Sequence, residues 1–192
     1  NILPNQFTMD DGLYVLSNPQ VTQPSLHALF SPNQISSVYR PVTFATMALN
    51  WALGGTEPLG YHLLNLLLHA GVVWLLYLLL QEIFGESSRG KTIAFAAALL
   101  FAVHPIHTEA VASVPGRAEM LAAGFLLAAW ILHLRDREIP ALLCFALALL
   151  SKESAVVFFP LVLLGDYATG RWKTRLRYAW IAGATLVYLG LL

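Results

Sequence analysis

Long apolar runs separated by short polar stretches dominate the chain after residue 58. A membrane-spanning helix needs about 20 mostly apolar residues, so this pattern predicts an all-α polytopic membrane protein. We expect a transmembrane helical bundle over residues 59–192, with about six spans and truncated at both ends. The clearest runs cover residues 59–80, 93–103 and 118–134, and a last run starts near Tyr178.

Residues 139–167 form either one span or two short helices that meet at Ser151-Lys152-Glu153. The basic loops decide between these topologies, because positively charged loops stay on the cytoplasmic side of a membrane. Two helices place the basic residues of 171–177 on the same side as Arg135 and Arg137, whereas one span places them on the opposite side. We therefore predict two helices.

Residues 1–58 lack a comparable run and are predicted to form an extracytoplasmic first loop. Within this loop, Pro41 suits a first helical position and Gly54-Gly55 suits a helix end. The mixture of apolar and polar residues between them predicts an interfacial helix lying on the bilayer.

Composition supports the same class, since 57% of the residues are hydrophobic, only 11% are charged and the mean hydropathy is +0.64. The 11 basic and 11 acidic side chains balance, so charge indicates no nucleic-acid partner. The single cysteine, Cys144, lies within an apolar run, which favours a packing role.

The chain starts at Asn1 and stops at Leu192 within an apolar run, so we interpret it as an internal fragment.

Polar side chains also occur within and beside the apolar runs. His62, Asn65 and His69 share one helix face, which we expect to turn inward, either for hydrogen bonds between helices or to line a pocket. The segment from Ala102 to Glu119 carries several ionisable residues and two helix-breaking prolines between apolar runs. Ionisable groups in such positions are often functional.

The predicted topology brings ionisable residues from separate segments to the non-cytoplasmic face. Both charge signs converge there, as expected of a catalytic or binding site. The residues concerned are Asp10, Asp11, Arg40, His104, His107, Glu109, Arg117, Glu119, Lys152 and Glu153.

Several short motifs stand out along the chain, and the more specific are H-P-I-H-T-E-A-V at residues 104–111 and G-R-A-E at residues 116–119. The others are D-D-G-L-Y-V-L-S-N-P-Q-V, Y-R-P-V-T, L-G-Y-H-L-L-N-L-L-L-H-A and L-S-K-E-S. Together and in this order, they resemble the amino-terminal membrane half of transmembrane, tetratricopeptide-repeat O-mannosyltransferases and their bacterial relatives.

That family resembles the GT-C glycosyltransferases, which take a sugar from a polyprenyl-phosphate carrier on the non-cytoplasmic side and use an acidic pair in the first outer loop. The resemblance implies a GT-C-like bundle that transfers mannose to a protein Ser or Thr hydroxyl. The carrier would be dolichyl phosphate in an endoplasmic reticulum membrane or an undecaprenyl-type phosphate in a bacterial inner membrane. Further membrane helices and the repeat domain would lie outside this chain.

The chemistry that the resemblance implies gives roles to the charged residues. Asp10 or Asp11 would take the proton from the acceptor hydroxyl, unless the pair is a solvated turn or a cap. Arg40, Arg117 and Lys152 would bind the carrier phosphate, unless they anchor lipid headgroups or form structural pairs.

The histidine-rich piece allows two interpretations. His104, His107 and Glu109 are suitable ligand types for a divalent metal, but Pro105 prevents their regular display on a helix. Hydrogen bonds to the donor or the acceptor are therefore favoured over a metal site, and no metal ligand is assigned.

Ion pairs within the loops are the structural alternative for several of these residues. We expect Glu109 and Glu119 to pair with Arg117 and hold the loop, whereas a pair of Lys152 with Glu153 is only the alternative to phosphate binding by Lys152.

Two other classes of function compete with a polyprenyl-phosphate-sugar-dependent glycosyltransferase. A non-catalytic GT-C-like subunit of a larger membrane complex would have the same fold, with histidines free to bind a cofactor. A transporter is the other class, because Lys, Glu and His within membranes also line ion pathways. The acidic pair and the gathering of charge at one face favour the enzyme.

Overall fold

The computed structural model describes residues 6–33, 38–85, 87–170, 172 and 174–191. Within these ranges the chain forms helices joined by turns and short loops, without β-strands, as the all-α prediction requires. The longer helices are α1 (Pro41–Gly54), α2 (Pro58–Phe84), α3 (Ser88–Val103), α4 (Arg117–Leu134), α5 (Glu138–Leu149), α6 (Phe158–Thr169) and α7 (Arg175–Leu189).

Two helices of the described part, α2 and α4, are long and apolar enough to cross a membrane. Helix α3 and the following segment, residues 105–112, pass the same test together but are bent by 48° at the break before Pro105. Counting that bent pair as one span gives up to three. Helices α5, α6 and α7 are shorter, with 12, 12 and 15 residues, so the expected six spans stay a prediction.

Helix α1 has the predicted bounds. Pro41 occupies its first turn, and Gly55, which follows the last residue, has a φ of 57° that favours glycine. Phe44 and Met47 are buried against the first loop and Tyr61 of α2. The location of α1 on a bilayer surface stays a prediction.

Helix α3 begins earlier than its apolar run predicts. The run starts near residue 93, but the helix starts at Ser88 because the hydroxyl of Ser87 accepts a hydrogen bond from the Gly90 N–H at 3.1 Å. This cap satisfies one of the backbone donors that a helix start leaves unpaired. Hydrophobicity alone carries no information about such a cap.

Helix α4 is the centre of the bundle, since it packs against both α2 and α5. Helix α7 contacts α5 and α6, and α3 packs against α2. One buried apolar cluster contains residues from each of the helices α4, α5, α6 and α7. Its members are Ala129, Phe145, Ala148, Leu149, Ala155, Phe158, Val162, Ile181 and Tyr188.

The predicted pair of short helices is confirmed, because α5 ends at Leu149 and α6 begins at Phe158. Contacts between the start of α7 and the turn from α4 to α5 show which helix ends lie together. Arg177 at the start of α7 donates hydrogen bonds to Asp136 (2.7 Å) and Glu138 (2.5 Å), which lie between α4 and α5. The charged runs therefore meet at one end of the bundle.

The polar face of α2 turns inward as predicted. His62 and Asn65 are fully buried and His69 is half-buried. The Asn65 amide donates to the carbonyl oxygens of Val111 (3.4 Å) and Ser113 (2.8 Å), so this face holds the segment that precedes α4.

The first loop is folded by short helical turns and buried amides rather than by a large core. Asn33 Nδ2 donates to Asn18 Oδ1 (3.1 Å) and to Gln20 Oε1 (2.7 Å). Val15 and Val21 pack against α1 in the same small apolar cluster as Phe44. These contacts fix the loop that carries the acidic pair against the start of the bundle.

Candidate functional site

Charged residues gather at the end of the bundle where α4 starts. Four of them, Arg40, Glu119, Lys152 and Glu153, form two ion pairs that we name the four-charge cluster. They come from the residue before α1, the first turn of α4 and the loop between α5 and α6.

Arg40 holds Glu153 with two hydrogen bonds. Its Nε donates to Oε2 at 2.9 Å and its Nη2 donates to Oε1 at 2.6 Å, the fork geometry of strong arginine–carboxylate pairs. These hydrogen bonds lower the pKa of Glu153 below its ordinary value. Glu153 thus bonds Arg40, a residue distant in sequence, rather than Lys152, its partner in the structural alternative.

Two hydrogen bonds to backbone carbonyls bring Arg40 and Glu153 together. The Val42 N–H donates to the Leu150 carbonyl at 3.1 Å, and the Thr43 hydroxyl donates to the Ser151 carbonyl at 2.9 Å. The start of α1 is thereby docked on the loop that follows α5, which places Arg40 beside Glu153.

Lys152 pairs with Glu119 instead. The lysine side chain is 18% exposed and the glutamate 51%, so this pair lies at the solvent boundary. Burial lowers the pKa of Lys152, and the nearby charge of Arg40 lowers it further. Lys152 is therefore a partly buried cation whose counterion is accessible from outside.

Arg117 is fully buried, and all its hydrogen bonds go to the protein interior. Its Nε donates to Asn65 Oδ1 (3.0 Å), Nη1 to the Thr46 carbonyl (3.1 Å) and Nη2 to the Tyr61 carbonyl (3.1 Å). The guanidinium also lies 5.7 Å from the centre of the Tyr61 ring.

The expected pairing of Arg117 with Glu109 or Glu119 is therefore wrong. Neutral oxygens of α1 and α2 satisfy the buried cation, and Glu119 bonds Lys152. This arrangement favours the structural alternative for Arg117 over a phosphate ligand, because each of its side-chain nitrogens already donates a hydrogen bond and the side chain is fully buried.

The two aspartates differ sharply in environment. Asp11 is fully buried: Oδ1 accepts from the Val114 N–H at 2.9 Å, and Oδ2 accepts from the N–H (2.8 Å) and hydroxyl (3.0 Å) of Thr8. Asp10 is exposed, and its carboxylate has no hydrogen bond or ion pair among the described residues. Asp11 thus caps the first helical turn, while the Asp10 carboxylate faces solvent.

The segment of residues 113–119 connects these groups. Val114 bonds Asp11, Arg117 bonds α1 and α2, and Glu119 bonds Lys152. Asp11 and Lys152 are therefore both bonded to the same short segment at the start of α4.

The histidines form a separate group beside this segment. The His107 ring centre lies 4.1 Å from that of Phe101, 5.6 Å from His69 and 6.0 Å from His104. His104 Nδ1 accepts a hydrogen bond from the Ile106 N–H at 3.2 Å, and Glu109 is exposed. Within the described residues, no group of three His, Cys, Asp or Glu side chains is arranged to hold a metal ion.

Sequence reasoning missed the polar residues that hold the site together. Thr46 and Tyr61 accept hydrogen bonds through their backbone carbonyls, which any residue type can supply. Thr43 donates its hydroxyl to a backbone carbonyl, so the partner again carries no sequence signal. The role of Asn65 could have been predicted from the sequence, because its position on the inward face of α2 indicates a partner for a buried polar group.

Comparison with known proteins adds an independent observation. No protein-family model matches the chain, and no solved structure matches it. The chain is similar to protein O-mannosyl-transferases. It is 40% identical over 184 residues to the protein O-mannosyl-transferase F38B6.6 of Caenorhabditis elegans, an alignment that covers 88% of this chain and 26% of the relative.

Mammalian relatives give the same result. The protein O-mannosyl-transferase TMTC3 of Mus musculus is 36% identical over 82% of this chain and 16% of its own length. The protein O-mannosyl-transferase TMTC4 of Homo sapiens is 42% identical over 53% of this chain and 15% of its own length. The chain thus spans about a quarter or less of the curated relatives it matches.

Proposed function

We propose that this chain forms part of the membrane portion of a protein O-mannosyltransferase, which moves mannose from a polyprenyl-phosphate carrier to a protein Ser or Thr hydroxyl on the non-cytoplasmic side. The observation that carries this proposal is that residues 113–119 bond both Asp11, the buried neighbour of the exposed Asp10, and Lys152, through Glu119, in a chain similar to protein O-mannosyl-transferases. The candidate spans α2 and α4 support an integral membrane protein.

Asp10 is the proposed catalytic base. Its exposed carboxylate can reach an acceptor protein, whereas both oxygens of Asp11 are already occupied by donors. In the proposed step, Asp10 takes the proton of the acceptor hydroxyl while the hydroxyl oxygen bonds the anomeric carbon of mannose. The bond between that carbon and the phosphate oxygen breaks, and the polyprenyl phosphate leaves with the electron pair.

Lys152 is the proposed phosphate ligand, with Arg40 as a second cation beside it. The exposed Glu119 is a weak partner, because ion pairs at the solvent boundary contribute only about 0–1 kcal/mol. A phosphate can therefore replace Glu119 on Lys152, while the Arg40–Glu153 pair, with its two hydrogen bonds, stays in place. This exchange stabilises the leaving group where its charge develops.

The test uses the full-length protein in nanodiscs with radiolabelled mannosyl-phosphate dolichol or mannosyl-phosphate undecaprenol and a Ser/Thr-rich acceptor. Wild type should transfer mannose from one of the two donors. Lys152→Gln should raise the KM for the donor about tenfold or more, because a charged hydrogen bond to phosphate is lost. Glu119→Gln should lower this KM, because the competing carboxylate is removed.

Arg137→Gln is the matched control, since Arg137 is an exposed cation at the opposite end of the bundle and its loss should leave the KM unchanged. Absence of transfer by the folded wild type from either donor would contradict the proposal and favour a non-catalytic subunit. An equal rise of the donor KM in Lys152→Gln and Arg137→Gln would contradict the assignment of Lys152 as the phosphate ligand.

A further inference from the structure

The buried carboxylate of Asp11 faces hydrogen-bond donors only. The Val114 N–H, the Thr8 N–H and the Thr8 hydroxyl all point their hydrogen atoms at it. An ionised carboxylate accepts all of these bonds, whereas an amide would present its own N–H groups to at least one donor. The Asp11 carboxylate therefore fits these three donors and joins the first loop to Val114.

Arg117 holds the other end of the same short loop. Three of its nitrogen atoms donate to oxygens of α1 and α2, and its side chain is fully buried. A buried cation with several fixed partners allows little rotation of the residue that carries it. The segment from Val114 to Arg117 is thus fixed at both ends, by Asp11 and by the two helices.

Gly116 allows this loop to pack closely. A Cβ at that position would collide with the carbonyl oxygen of Ala110, which belongs to the preceding short helix. The loop therefore lies against its own backbone as well as against Asp11 and α2, and it has little room to move.

We infer that Asp11 and Arg117 are positioning residues for the catalytic base: they fix the loop at residues 114–117, and through it they set the location of the Asp10 carboxylate relative to Lys152. This inference rests on the proposed function and deepens it. Asp10 neighbours Asp11 in sequence, and Lys152 is bonded to Glu119 two residues after Arg117, so a single rigid segment spaces the base from the phosphate ligand.

Substitution of the two aspartates should lower transfer to different extents. Asp11→Asn should lower kcat by about 10- to 100-fold, since a displacement of about 1 Å costs this much, and should leave the KM for the donor unchanged. Asp10→Asn is the matched comparison and should lower kcat by about 100-fold or more, because the base itself is lost.

Hydrogen exchange of the Val114 amide gives a readout that is independent of activity. Asp11→Asn should speed this exchange, and Asp10→Asn should leave it as in wild type, because only Asp11 accepts from that N–H. Arg117→Lys should keep part of the protection and of kcat, whereas Arg117→Gln should lose both.

Two results would overturn the inference. One is transfer that survives Asp10→Asn but is abolished by Asp11→Asn with Val114 still protected, which would make Asp11 the base itself. The other is faster Val114 exchange in Asp11→Asn with unchanged kcat. Absence of transfer by wild type, with the exchange pattern as expected, would instead contradict the proposed function and leave the loop contacts intact.

Discussion

Arg117 and Lys152 are both cations near the start of α4, yet their surroundings give them different chemistry. Arg117 is enclosed by carbonyl and amide oxygens, so it is fixed and cannot exchange partners without leaving buried acceptors unpaired. Lys152 has an exposed carboxylate as its partner, so a ligand can replace that partner from outside. Charge alone does not separate these two roles, and burial does.

The lowered pKa of Lys152 predicts how donor binding depends on pH. Its cation is lost as pH rises through a pKa below the ordinary value of about 10.4, because burial and Arg40 disfavour the charged form. Donor affinity should be complete below this pKa and fall above it. Lys152→Arg should move this loss of affinity to higher pH, since arginine stays charged.

The measurement is the KM for the lipid-linked donor across the alkaline range in wild type and Lys152→Arg. Thermal unfolding over the same range is the control, because general loss of structure would mimic weaker binding. An identical alkaline rise of KM in both proteins would contradict the assignment of this limb to Lys152.

Helix ends were easier to predict from the sequence than the partners of charged residues. Pro41 and Gly55 mark the ends of α1 by their own backbone preferences, which act locally. The partner of Arg40 is Glu153, and this pair forms because hydrogen bonds from the Val42 N–H and the Thr43 hydroxyl dock α1 on the loop after α5. Side-chain partners that depend on packing of distant segments are not encoded in local patterns.

The packing of α6 against α4 depends on a small residue. A Cβ on Gly165 would lie 2.7 Å from Cζ2 of Trp130, so Gly165→Ala should destabilise the bundle by about 1–3 kcal/mol through overpacking. Adding Trp130→Leu should relieve part of this cost, because the ring atom that the new methyl group meets is removed.

Gly124→Ala in α4 is the matched control. A Cβ there would lie 3.7 Å from Cγ2 of Val72, an ordinary contact, and alanine favours a helix over glycine. Unfolding midpoints of the purified variants in detergent measure both effects. Equal stability of Gly165→Ala and Gly124→Ala would contradict the close approach of α6 to Trp130.

For the whole molecule, the sequence predicts the order and direction of the helices better than the buried polar contacts at the end of the bundle opposite the start of α4. The basic loops indicate that α5 and α6 are separate helices, and the bonds from Arg177 to Asp136 and Glu138 agree. At the same end, Asp166 is fully buried and accepts from Tyr178 at 2.7 Å while lying 2.9 Å from His133 Nε2. Nothing in the local sequence pairs these residues, because each belongs to a different helix.

This topology can be tested by labelling from one side of a sealed membrane. With Cys144→Ala as background, Arg137→Cys and Arg175→Cys should react with a membrane-impermeant maleimide from the same side, and Ser154→Cys from the other. All three native residues are exposed. Labelling of the Arg137 and Arg175 positions from opposite sides would contradict the two-helix arrangement.

The most direct test of the proposed function is the initial rate of mannose transfer by the full-length protein and its Asp10→Asn variant in nanodiscs. We expect transfer by wild type from a polyprenyl-phosphate mannose and a fall of about 100-fold or more in the variant, since general base catalysis contributes at least that much. The Val114 amide should stay protected in both proteins. Transfer at the wild-type rate by a folded Asp10→Asn variant would contradict the account.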